Sequence, residues 1–548
     1  MISTVALQRY HGQESRPRIG SRWLPRPRSP GLRSTTEVVG VENGGTQRFA
    51  KQGLEVARAR GGAHRLGGRV RWARLMRALL GSVWPWLAGY LVVRVWQLAR
   101  STVVVFPDSS TYRRPTDGYT LEWISLAGAA PRLWGTPLFF ALFPNDEWRI
   151  VGQWAVSTVA WGFLAVALWS FLRTTAGRIV LMGTILMLAL APPVAGWDFI
   201  MLSESLSISL GVLAFALFLW WRRTGSRTAL AVMTVVGVWW TFTRFEMALL
   251  LFVLAVAVIW HSRRPAAVVA VLAMLGTLAW ATFANSAIDR PGWGGPFSAG
   301  GGPSEELMVY RLGRSVYLDP TLERIFAEQL GMPSCPGLAD QARLKWDVVE
   351  IPTEYKKCPA LQEWARANAS AIGFRFAWAA PMTFARTTAP MFEVSMYGAS
   401  ANKAAAPPPF KQLNRILYPR PQPARIFLPV MTILLLVSAI GLGGLRRHRM
   451  LTVTALVLVG VALLSELAML SVAVAELPRL GTQESTMFRL GLLLLLAIAV
   501  DLLAEFRTGA RRPHADALSP PSAVATVRSS SETANRAAVS RYASFVSP

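Results

Sequence analysis

At 548 residues, 52% hydrophobic with 22 Trp and a mean hydropathy of +0.35, the chain lies outside the composition range of soluble enzymes. Its net charge of +26 sits in stretches that flank apolar segments, which points to membrane topology and anionic lipid and gives no reason to invoke nucleic acid. No P-loop, Gly-x-Gly-x-x-Gly, His-Glu-x-x-His or Cys-x-x-Cys zinc pattern occurs, so soluble-type use of ATP or a nucleotide sugar gains no support.

Residues 1–78 hold 16 basic and 4 acidic residues and Pro-rich text such as LPRPRSP, and are expected to form a disordered cytoplasmic tail. Ten apolar windows that can cross a bilayer follow, at 79–98, 149–171, 178–195, 203–221, 228–243, 246–260, 266–286, 426–444, 450–471 and 486–505. The expected architecture is an all-α polytopic integral membrane protein of about ten transmembrane helices. Its membrane core is 79–286, its long extracytoplasmic region 287–425, its C-terminal spans 426–505 and its second loose tail 506–548.

Charge supplies the orientation. Arg173 and Arg178, then Arg222, Arg223 and Arg227, then Arg263 and Arg264, then Arg446, Arg447 and Arg449 fill every second connection, and none of these connections holds an acid. Basic connections stay in the cytoplasm, which assigns both termini to the cytoplasmic side of the cytoplasmic membrane. With the two tails, these four connections carry the whole net charge, leaving 25 basic and 25 acidic residues for the membrane and its outer side.

Two outer segments are too long to be turns, 99–148 and 287–425, and function is sought there. The first contains FPDSSTYRRPTDGY. Its Asp108 stands about ten residues beyond the first span, at the depth of lipid phosphates, where a carboxylate can take a proton from a hydroxyl. The same residue also suits an Asx-turn with Ser109 and Ser110, and Asp117 before Gly118 suits a turn even better. Arg113 and Arg114 can clamp a phosphate or touch lipid headgroups. LEWISLAGAAPRLW has the composition of a short helix in the headgroup plane. Arg94, inside the first span, can snorkel and is assigned no role.

Further on, WDFIMLSESLSISLG offers Asp198 and Glu204. Ser203 suits a helix N-cap and Glu204 complements the helix dipole, while either acid can bind an acceptor sugar or a divalent ion beside Asp108. TFTRFEMALLL sets Arg244 beside Glu246 at an outer turn, as an ion pair or as a phosphate ligand, and ELPRLGTQES places Arg479 in the same layer. Within 287–425, GWGGPFSAGGGP reads as flexible, PALQEWARANASAIGFRFAWAAP as amphipathic and PPPFKQLNRILYPRPQP as a stiff return. Cys335 and Cys358 share this region, either as a disulfide or as two thiols, and no His lies nearby to make a metal site.

Four stretches in order, PDSSTY, GTPLFFALFP, LSESLSISLGVLAFALFLWW and FTRFEMALLLF, resemble the GT-C superfamily of polytopic glycosyltransferases. The resemblance covers about residues 79–290, with a weaker likeness at 476–505. It implies inverting transfer of a sugar from a polyprenyl-phosphate carrier to a glycan, lipid or protein acceptor at the outer membrane face. Asp108 would then be the base, Asp198, Glu204 and Asp117 acceptor or metal ligands, and Arg113, Arg114, Arg244 and Arg479 donor-phosphate ligands. The chain departs from the family where the second acidic element is not an Asp-Glu pair and where FTRFEM lacks the proline usual after the arginine, so a divalent cation and the donor sugar stay unassigned. A transporter or flippase of lipid-linked saccharide is a second class, calling for charged or broken helices at mid-membrane. A non-catalytic scaffold of envelope assembly is a third.

Overall fold

Each of the ten apolar windows carries a helix in the computed structural model, which describes residues 81–106, 108–113, 132–288, 301–344, 350–397, 417–418, 421–472 and 477–509. In chain order they are α1 (Trp84–Arg100), the short α2 (Ser109–Arg113) and α3 (Gly135–Ala141), α4 (Asp146–Trp169), α5 (Thr175–Leu190), α6 (Glu204–Thr224), α7 (Arg227–Thr243), α8 (Ala248–His261) and α9 (Pro265–Ile288). A second group follows: α10 (Pro303–Arg311), α11 (Pro320–Glu328), α12 (Pro336–Leu344), α13 (Glu350–Lys356), α14 (Pro359–Asn368), α15 (Ile372–Ala379) and α16 (Pro381–Tyr397). The chain then returns through α17 (Pro421–Gly441), α18 (Arg449–Val472) and α19 (Thr482–Gly509). Among the described residues there is no strand, and Val104 and Ile200 form an isolated parallel bridge.

This is an all-helical membrane protein with fewer self-sufficient spans than the ten windows suggest. Among the described residues five helices, α4, α6, α9, α18 and α19, are long and apolar enough to cross a bilayer alone, and a sixth results if Thr175–Leu190 and Pro192–Phe199, bent by 49°, are one span. The shortfall is one of length. With 17 residues each, α1 and α7 reach only about 25 Å at 1.5 Å per residue, against a hydrocarbon core of about 30 Å.

Local signals set the helix boundaries. Asn145 caps α4 by accepting from Trp148 N at 3.0 Å, Thr174 caps α5 through Gly177 N at 3.0 Å and Ser226 caps α7 through Ala229 N at 3.2 Å. Gly225 ends α6 at φ 69°, a conformation that costs a residue without Cβ little. Pro192 and Pro193 stop α5, because neither ring nitrogen can donate to the helix ladder.

Helix α6 is the most enclosed span, packed between α4 and α7 and against α19, which also packs on α5 and α18. The helix ends sort into two sets. At one end, Asp501 accepts from Thr174 N at 2.7 Å and Arg173 N at 3.1 Å and faces His448, while Glu505 lies 3.2 Å from Arg447 and 3.6 Å from Arg173. The basic connections around 173 and 447 thus meet there.

The region 301–397 has its own core, built on Met308, Leu312, Phe326, Leu338, Leu361 and Phe376. Most of its helices open on proline, which suits the first turn, where a backbone donor is not needed. Cys335 and Cys358 are joined in a disulfide with Cα atoms 6.0 Å apart. Buried Arg311 fastens this region to α18, donating to the carbonyls of Leu470 at 3.1 Å and Ser471 at 2.6 Å, both near the C-terminal end of that helix.

Candidate functional site

The loop after α1 is held by backbone pairing. Val104 N donates to Phe199 O at 2.9 Å and Met201 N to Val104 O at 3.0 Å, which ties the approach to Asp108 to the chain that leads into Glu204. Ser109 Oγ then accepts from Phe106 N at 2.9 Å, and the carbonyl of Asp108 accepts from Thr111 N at 3.0 Å, so the peptide turns into α2 and leaves the Asp108 carboxylate at the turn. Tyr112, one residue from the end of α2, donates from its hydroxyl to Ser203 Oγ at 3.1 Å and locks the two stretches together.

The Asp108 carboxylate, at this turn and 41% exposed, is held by two guanidiniums. Its Oδ2 lies 2.9 Å from Arg479 Nη1 and 3.2 Å from Arg132 Nη2. Arg479 reaches on from Asp108 to Glu204, with Nε 2.6 Å from Oε1, and Arg244 approaches the same oxygen at 3.4 Å and Glu246 at 3.6 Å. Arg132 also donates to Thr111 Oγ1 at 2.9 Å and lies over the Tyr112 ring at 4.7 Å. A cavity of about 160 Å³ beside this cluster is lined by Tyr112, Arg132, Ser203, Glu204, Arg244 and Arg479, among others, and Asp108 borders it through its pairs with Arg132 and Arg479.

Partial burial pushes the Asp108 carboxyl up, but Arg132 and Arg479 together outweigh it and hold it below its usual range. So paired, Asp108 is a weak base. Glu204 is buried, and its second oxygen, Oε2, meets no hydrogen-bond donor. Arg244, at 3.4 and 3.6 Å from its acids, is engaged beyond good hydrogen-bond geometry and keeps donors for an incoming anion.

Asp108, Glu204, Arg244 and Arg479, expected from their sequence contexts, come together here. Asp198 does not. It is 1% exposed and paired with Arg94 at 2.5 Å, while Ser205 Oγ donates to its other oxygen at 2.5 Å. The expectation that Arg94 snorkels is corrected by the same contact. Arg94 is fully buried and also donates to Thr158 at 3.0 Å and Gln97 at 3.0 Å, because a guanidinium held in apolar surroundings must find acceptors inside the protein. With Gln153, which donates to the carbonyls of Asp198 at 3.3 Å and Ile200 at 3.0 Å, this pair braces the irregular segment before α6. Ser203 departs from expectation too: its side chain does not cap α6 and instead receives Tyr112.

Asp117 and Arg114 lie outside the described residues, as does the side chain of Arg113. Arg132 is the site residue that sequence reading missed. It sits in LEWISLAGAAPRLW, where an amphipathic reading absorbed it, and the lone cation in that otherwise apolar end was the one signal available. Comparison with protein-family models, curated proteins and solved structures yields no match for this chain.

A divalent cation fits the cavity poorly. Asp108 Oδ2 and Glu204 Oε1 already receive guanidinium donors, and three arginines share the wall, a set that favours an anion. Among the described residues, His448, Asp501 and Glu505 have metal-ligand spacing, but amide and guanidinium donors occupy the carboxylates there. Asp501 is also roughly 28 Å along α19 from its first residue, Thr482, which follows closely on Arg479.

Proposed function

We propose that this protein is a GT-C-like membrane glycosyltransferase that moves a sugar from a polyprenyl-phosphate carrier to an envelope acceptor on the outer face of the cytoplasmic membrane. One observation carries the reading: three arginines and two carboxylates line one cavity at the helix ends away from the basic connections, and Asp108 pairs with two of those arginines, so that five distant stretches converge. On this reading all ten apolar helices cross or line the bilayer, with both termini cytoplasmic.

In the proposed reaction the acceptor oxygen attacks the anomeric carbon on the face opposite the phosphate. The bond from that carbon to the phosphate oxygen breaks, and the phosphate leaves with the electron pair. The acceptor proton passes to Asp108. Arg132, Arg244 and Arg479 stabilise the departing charge, which grows in the transition state and makes their contribution catalytic rather than merely adhesive. Phosphate binding also draws Arg132 and Arg479 away from Asp108, and losing those cations raises the basicity that the two guanidiniums suppress. The unpartnered Glu204 Oε2 accepts from an acceptor hydroxyl.

The 49° bend between α5 and Pro192–Phe199 favours the transporter reading, since broken helices mark transport sites. The charges at that bend, however, are closed on each other in the Arg94–Asp198 pair. Asp108→Asn decides among the classes, because it keeps shape and hydrogen bonding and removes the base. Transfer from a synthetic polyprenyl-phosphate sugar by the purified full chain should fall by a factor of about 10² to 10⁴. Unchanged turnover would move the base elsewhere, and no transfer by the unsubstituted chain with any polyprenyl-phosphate sugar would favour transport or scaffolding.

A further inference from the structure

Helices α15 and α16 carry apolar side chains that no described part of the protein covers. Trp378 is 91% exposed, Met382 82% and Phe374 68%. Phe374 and Trp378 stand four residues apart and share a face of α15, whose other side buries Ile372 and Phe376 in the core of the 301–397 region. A tryptophan so bare, with two large apolar neighbours, is unusual on a surface that meets only water.

The packing fixes where this face lies. Gly373 sits directly on the backbone of Ser471, at the end of the span α18, and a Cβ there would collide with that carbonyl. Met391 and Phe392 of α16 pack on Met469, Leu470 and Leu480, and Met396 O accepts from Ser485 Oγ at 3.0 Å in the first turn of α19. The bare face is thus level with the ends of two membrane-length helices. Span α18 exposes Val453, Val457, Leu464 and Leu467 along its length, so its lipid-facing side runs up to within a turn of Ser471. Arg375 and Arg386 are exposed beside the apolar residues. Large apolar groups with Trp among them, flanked by arginine and set at the end of a span, match the chemistry of the boundary between headgroups and acyl chains.

We propose that α15 and the first turn of α16 lie in the membrane surface, with Phe374, Trp378 and Met382 inserted at the headgroup boundary and Arg375 and Arg386 against anionic headgroups. The partner is the lipid bilayer itself. This fastens the 301–397 region to the membrane, and α16 carries the attachment to Ser395 and Met396, which adjoin Gly481 and Ser485 just beyond Arg479. The inference rests on membrane embedding alone and stands or falls independently of glycosyl transfer.

Both native cysteines are in the disulfide, so Trp378→Cys carries a single free thiol. The full chain, labelled there with an environment-sensitive fluorophore, is reconstituted into vesicles of phosphatidylcholine and phosphatidylglycerol bearing nitroxide lipids, labelled either at the headgroup or deep in the acyl chain. Headgroup nitroxide should quench the Trp378→Cys probe several-fold more than a probe at Glu328→Cys, an exposed position on α11, and more than deep nitroxide does. Met382→Cys should behave in the same way and serves if labelling disturbs α15. Quenching no greater than at Glu328→Cys would overturn the proposal, as would Trp378→Cys cross-linking two copies without lipid quenching, which would assign the face to a second copy.

Discussion

Arg479 joins two carboxylates of different standing, and removing it should separate them energetically. Toward Glu204 its Nε makes a 2.6 Å contact with a carboxylate that is 2% exposed, whereas toward Asp108 its Nη1 makes a 2.9 Å contact with one that is 41% exposed. Hydrogen bonds to buried charges contribute about 1.5–3 kcal/mol, while exposed pairs contribute about 0.2–1 kcal/mol. Arg244 stays within 3.4 Å of Glu204, so losing Arg479 leaves the buried acid partly compensated and avoids the full penalty of a stranded charge, about 3–5 kcal/mol. Double-mutant cycles built on Arg479→Gln with Glu204→Gln, and separately with Asp108→Asn, followed by reversible unfolding in mixed micelles, read the two couplings. The first should come out near 2 kcal/mol and the second below about 1 kcal/mol. Additivity within about 0.5 kcal/mol for Arg479 and Glu204 would mean that the bridge is not formed, and equal couplings would refute the burial argument.

Gly135→Ala should lower stability by about 1–3 kcal/mol, since its Cβ would stand 2.5 Å from Thr243 N and 2.6 Å from the Phe242 carbonyl, backbone atoms that cannot swing away. Because that backbone leads directly into Arg244, the affinity for a polyprenyl phosphate measured by calorimetry should fall as well, and an unchanged melting temperature would show that the contact is slack. Removing the disulfide with Cys335→Ser and Cys358→Ser should destabilise the 301–397 region by about 3 kcal/mol in the chain-entropy model for bridged residues 23 apart, seen as faster proteolysis there and not in the spans. The Asp108 carboxyl, with its pKa depressed on folding, contributes stability that is fully present above the unfolded value near 3.9 and is lost as pH falls through the depressed one. The stability gap between the unsubstituted chain and Asp108→Asn should therefore be flat from about pH 7 to 5 and shrink below about pH 4, and a gap that widens on acidification would contradict the pairing with Arg132 and Arg479.

What the sequence determined by itself is local. Helices coincide with all ten apolar windows because hydropathy and caps act within a few residues, as Asn145, Thr174 and Ser226 do at the starts of α4, α5 and α7. The association of Arg244 with Glu246 was legible for the same reason, being two residues apart across one turn. The tertiary structure decided how the acids divide. Asp198 and Glu204 stand six residues apart in one stretch, yet Asp198 is closed on Arg94, 104 positions earlier, and Glu204 meets Arg479, 275 positions later. Between α5 and α6 the chain passes from an α-helical turn at Pro192–Ala195 to a 3-10 turn at Gly196–Phe199 and then to non-helical residues, so no single period foretells which way a side chain points. Arg132 was hidden likewise, since its partner Asp108 stands 24 positions earlier. A charge taken out of water must be paired wherever the fold puts it, and for these residues the partners lie far along the chain, where short-range pattern carries no information.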